Sequence, residues 1–139
     1  NEYKKRLSKY CKLNVIEVPD EKAPENLSHK EIEQINDKEG EKLISKIPKG
    51  SYVISLAIKG HAFSSEELAN KIEDIKTYNS SHITFVIGGS NGLSNNVLKK
   101  SDLLLSFSSM TFPHQLMRMI LLEQIYRSFR INNNEPYHK

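Results

Sequence analysis

Four short runs in this chain are apolar almost without interruption: "LNVIEV" from Leu13, "SYVISLAI" from Ser51, "HITFVI" from His82 and "DLLLSF" from Asp102. A strand with one wetted face alternates apolar and polar residues. Runs like these must be covered on both faces, which points to a parallel sheet flanked by helices. The segments between them carry helix starts. "LSHKEI" places Ser28 at an N-cap, Glu31 three residues on, and Leu27 and Ile32 where a hydrophobic staple would sit; "FSSEEL" repeats the pattern with Ser64, Glu67, Phe63 and Leu68. Helices are predicted over about 28–47 and 64–77, with "SNNVLKKS" before the last strand and a final helix over about 113–131. Strand and helix alternate four times, so the fold class is α/β, a mostly parallel sheet flanked by helices, in a single domain over 1–139.

The final helix is the odd one. In "PHQLMRMILLEQIYRSFRI", Pro113 suits the first turn, but Leu116, Met117, Met119, Ile120, Leu121, Leu122, Ile125, Tyr126 and Phe129 cover far more than one face. One sheet cannot bury all of that, so a dimer interface is expected through this helix, with Leu121 or Ile125 against the partner. The tail "NNNEPYHK" is polar, and a frayed terminus is its default state.

Composition narrows the function classes. No apolar run approaches the roughly 20 residues that span a bilayer. The single cysteine, Cys11, excludes an intrachain disulfide and fits a reducing cytosol; no Cys/His cluster has zinc-ligand spacing, so no metal is expected. A net charge of +3 permits an RNA partner without demanding one. The opening "NEYKKRLSKYCKLNVIEV" lacks an initiator Met and reads like the later part of a helix leading into a strand, so upstream residues are expected to be missing.

Three loops follow three of the apolar strands: "LAIKG" at 56–60, "IGGSNG" at 87–92 and "LSFSSMTFPH" at 105–114. In a parallel sheet they emerge on one edge, where ligands bind. A pocket there would be walled by Leu56, Phe107, Met110 and Phe112; plain core packing of Met110 and Phe112 is the competing reading. The glycine-rich loop lacks the Gly-Lys-Ser/Thr ending of a P-loop, since Leu93 follows Gly92, and lacks the acidic residue of a dinucleotide fingerprint. These loops suit an adenosine without phosphate.

"VIGGSNG", "LSFSSMTFPHQLMRMILLEQIYRSFRI" and the terminal "YHK" closely resemble the bacterial ribosomal RNA large subunit methyltransferase H family, of the SPOUT class. The likeness is dense over 83–139, and "VPDEKAPENLS" and "VISLAIKG" carry it over nearly the whole chain. It implies a C-terminal trefoil knot, a homodimer, a cytoplasmic location, and methylation by S-adenosylmethionine of N3 of a pseudouridine in the 23S rRNA of the ribosome. The family begins with a strand and a basic helix that would precede Asn1. By position, Leu56, Gly88, Phe107, Ser108, Ser109, Met110, Thr111 and Phe112 correspond to its cofactor contacts. Taking the imino proton and holding the ring fall to His114, Arg118, Tyr137 and His138 as catalytic candidates, and Arg130 and Lys139, besides Arg118 and Arg127, could meet RNA phosphates. Against these readings, Arg127 has helical spacing to Glu123, and His114 could merely cap its helix. Two other classes compete: a non-catalytic RNA-binding module and a nucleotide-binding regulatory domain of the same fold. Calorimetry with S-adenosylmethionine separates the enzyme from both.

Overall fold

The computed structural model describes residues 12–17, 28–88, 93–108, 110 and 112–136, without the side chains of Lys12, His29 and His114. The expected N-terminal helix, Cys11, most of the glycine-rich loop, Ser109, Thr111 and the tail residues Tyr137, His138 and Lys139 lie outside the described residues. The elements run β1 (Lys12–Glu17), α1 (His29–Ser45), β2 (Tyr52–Ala62), α2 (Ser65–Tyr78), β3 (His82–Ile87), α3 (Asn95–Lys100), β4 (Leu103–Ser106) and α4 (His114–Asn132). The four strands form one sheet of order β1-β3-β2-β4, parallel throughout.

Local chemistry sets the helix starts where the sequence placed them. Ser64 Oγ accepts from Glu67 N at 3.0 Å while Glu67 Oε1 accepts from Ser64 N at 2.8 Å, a complete capping box; Ser28 Oγ accepts from Glu31 N at 3.2 Å. Helix α4 begins behind Pro113 without a side-chain cap.

The sheet is covered on both sides. On one face Ile54, Leu56, Ile83, Phe85, Ile87 and Leu105 pack with Leu68, Ile72 and Ile75 of α2 and with Leu121, Leu122, Ile125 and Phe129 of α4. On the other, Val53 and Val86 meet Leu43 of α1 and Val97 of α3. This second face carries hydroxyls as well: Ser51 pairs with Thr84 and Ser55 with Ser101, so that the fully buried Ser55 and Thr84 have partners.

Two expectations need correction. Strand β2 runs past the expected loop at 56–60: it pairs with β4 as far as Leu56↔Leu105, leaves the ladder over 57–60, and rejoins it at His61↔Leu105 and Ala62↔Ser106. Gly60 lets it return, because a Cβ there would lie 2.8 Å from the backbone C and O of Leu104. The second correction concerns α4. Leu121 and Ile125 are fully buried within their own protomer, between the sheet and α2, so neither faces a partner. The apolar excess lies in the first half of the helix, where Leu116 is 45% and Met119 49% exposed. No helix among the described residues is long and apolar enough to cross a membrane.

Leu121→Ala removes a side chain that the core encloses completely, and the expected loss is about 2–5 kcal/mol of folding free energy. Urea unfolding followed by circular dichroism measures it.

Candidate functional site

Sheet register, more than any single loop, assembles this site. Glu17 pairs with Ile87, Ser55 with Val86 and Leu56 with Leu105, so the carboxyl ends of all four strands lie level. The order β3-β2-β4 then sets three departures of the chain side by side: Gly88 after β3, the excursion at 57–60 within β2, and Phe107 after β4. Sequence proximity could not have shown that adjacency.

Each wall residue has a distinct setting. Leu56 is buried in the core cluster, and Phe107 packs half-buried against that cluster. Phe112 and Gly88 are half-buried. Met110 stands 69% exposed, so core packing does not account for it. After β4 the backbone is held locally: Ser106 Oγ donates to Ser108 O at 3.2 Å, and Ser108 Oγ accepts from Met110 N at 3.0 Å. On the excursion, Ile58 is 53% exposed beside exposed Lys59, and the His61 ring lies 5.5 Å from that of Phe63.

The candidate cations divide by position. Arg118, one helical turn after His114, forms an ion pair with Glu17 through Nη1 and Oε1 at 3.1 Å. That pair brings the start of α4 to the carboxyl end of β1. Arg127 pairs with Glu123 at 2.7 Å, as its spacing suggested. Arg130 is held by Glu135 at 2.6 Å, with its guanidinium carbon 5.7 Å from the Tyr126 ring centroid. The residue that sequence reasoning passed over is Glu17. Its one signal was a carboxylate closing the short strand KLNVIE.

A family model described as a predicted SPOUT methyltransferase matches residues 1–138. A ribosomal RNA large subunit methyltransferase H of Clostridioides difficile (strain 630) is 64% identical over 139 residues, covering 100% of this chain and 87% of the relative. One of Shouchella clausii (strain KSM-K16) is 60% identical with the same coverage. The chain therefore belongs to the SPOUT methyltransferases and, among them, to the ribosomal RNA large subunit methyltransferase H family.

SPOUT methyltransferases use S-adenosylmethionine, and the chemistry of the three departures fits that molecule. Their described side chains are apolar or hydroxyl-bearing, with Lys59 as the single charge. Such a lining suits an adenine and a ribose and offers little to a triphosphate. Among the described residues no group of three or more His, Cys, Asp or Glu could hold a metal ion.

The Arg118–Glu17 pair is partly solvated, with side chains 44% and 31% exposed. A double-mutant cycle with Arg118→Gln and Glu17→Gln should give a coupling of at most about 1 kcal/mol in stability, shrinking in 1 M salt. The guanidinium can then leave its carboxylate at small cost. A coupling of several kcal/mol that ignored salt would contradict this.

Proposed function

We propose that this protein methylates N3 of a pseudouridine in the 23S rRNA of the assembled ribosome, in the cytoplasm. In this reading it works as a single-domain chain in a homodimer whose cofactor site lies in a C-terminal trefoil knot. The observation that carries the reading is the adjacency of three uncharged or nearly uncharged chain departures on one sheet edge, in a chain 64% identical to a ribosomal RNA methyltransferase.

When bound, the donor supplies an electrophilic methyl group on a sulfonium. The chain's own residues have to hold the ring nitrogen in line with it and accept the imino proton that nitrogen loses. Leu56, Gly88, Phe107, Ser108, Ser109, Met110, Thr111 and Phe112 hold the donor, through backbone groups and apolar walls. His114, at the mouth of this edge, takes the proton or positions the ring. Arg118 exchanges Glu17 for an RNA phosphate, an exchange that the exposure of their ion pair favours. Tyr137 and His138 act on the ring from the tail, and Lys139 meets a phosphate. Arg130 joins it only where a phosphate displaces Glu135. The exposed Leu116 and Met119, with Met110 nearby in sequence, supply the apolar surface a second protomer would cover.

Isothermal calorimetry of S-adenosylmethionine against the protein tests the cofactor; absence of binding would sink the reading. Gly88→Val places a branched side chain where the donor needs bare backbone and should abolish binding in a folded protein. Deleting residues 136–139 should keep cofactor affinity within about threefold, roughly 0.7 kcal/mol, while methyl incorporation into ribosomes lacking the modification falls by orders of magnitude. Met119→Glu should shift sedimentation toward monomer without unfolding the protomer. A native protein that stayed monomeric at micromolar concentration would remove the dimer from the proposal.

A further inference from the structure

Gly40 lies inside α1, where glycine costs about 1 kcal/mol relative to alanine. Its surroundings give a reason for it. The residue is buried, and a Cβ at this position would overlap Ser94 Oγ, lying also 3.1 Å from Ser94 Cβ and 3.2 Å from Val97 Cγ2. Ser94 is the N-cap of α3, its Oγ accepting from Val97 N at 3.4 Å, and it is buried. In the chain it stands directly behind the glycine-rich segment that leaves β3 at Gly88.

The far end of α3 is fastened too. Ser101 Oγ donates to Val97 O at 2.7 Å and shares a hydrogen bond with Ser55. Asp102 N donates to Val53 O at 2.8 Å, and Asp102 Oδ2 accepts from Val53 N at 2.8 Å. So α3 is fixed to β2 at its carboxyl end and seated on bare α1 backbone at its amino end. It joins the chain departing from β3 to the strand that feeds the departure from β4.

We infer that Gly40 is a positioning residue for the cofactor site, acting through Ser94 to set where the glycine-rich segment ends. The inference rests on the cofactor reading above. A methyl group at position 40 leaves two outcomes. Either the amino end of α3 moves away from α1, or Ser94 rotates and gives up its bond to Val97 N while two tight contacts stay. Both shift Ser94 and the start of α3, and with them the far end of the connection that leaves β3 at Gly88.

The test is Gly40→Ala on the whole chain, read by calorimetry with S-adenosylmethionine, by thermal unfolding, and by amide hydrogen exchange over 88–98. Alanine favours the helix that it enters, so the expected signature is a split. Cofactor dissociation constant rises about tenfold or more and exchange quickens at the start of α3, with the unfolding temperature within a few degrees of the parent. Ser94→Gly removes both overlapping atoms and keeps a tolerated N-cap residue, so the double variant G40A/S94G should bind like S94G alone. A folded G40A with parental affinity and exchange overturns the inference while the cofactor reading stands. A parent chain that does not bind at all overturns both. Should G40A fail to fold, the double variant decides: binding like S94G supports the contact, and failure to fold or bind overturns it.

Discussion

Strands that are apolar on both faces cannot stay in water on either, and the rest of this structure follows from covering them twice. Parallel pairing forces each connection to cross from one end of the sheet to the other, and the crossing segments become the covering helices. Thus α2 and α4 close one face around Phe85 and Ile54, and α1 and α3 close the other around Val53 and Val86. The same geometry gathers the chain departures on a single edge. The described side chains at those departures are apolar or hydroxyl-bearing apart from Lys59, so the edge carries no dedicated charged motif.

The two covering layers are not equivalent. The α2/α4 side is a continuous apolar core reaching to Phe129, whereas the α1/α3 side is thinner and mixed with hydroxyl pairs. Buried hydroxyls that are fully paired cost little stability and hold a directional contact, unlike apolar packing, which tolerates sliding. The directional side is the one that holds α3, the short helix between β3 and β4. The apolar side holds the long helix whose amino-terminal end carries His114 and Arg118. Stability and placement are thereby served by different faces of one sheet.

Charge plays a restrained part. Most of the arginines named as candidates are engaged by carboxylates within α4 or just beyond it, and their pairs are local, as with Arg127–Glu123 and Arg130–Glu135. Arg118–Glu17 differs because it links α4 to the carboxyl end of β1. A partly solvated pair has low net worth, so either group can exchange its partner at small cost.

Much was legible in the sequence because it depends on neighbours in the chain. Apolar runs announced the strands, Ser28 and Ser64 with their glutamates announced two helices, and the spacing of Glu123 and Arg127 announced their ion pair; each is settled within a turn or a strand length. What the sequence could not determine is which distant residues meet. Apolar excess on α4 was visible, yet only packing shows that Leu121 and Ile125 are enclosed while Leu116 and Met119 remain outside, because burial depends on where α2 lies. The excursion of β2 depends on how closely the Leu104 backbone passes Gly60. Glu17 gained its meaning only when strand order brought β1 beside the start of α4, and Gly40 only when α3 came to rest on it. Local periodicity writes the elements into the chain, whereas contacts between residues far apart in sequence are selected by the packing of the whole sheet.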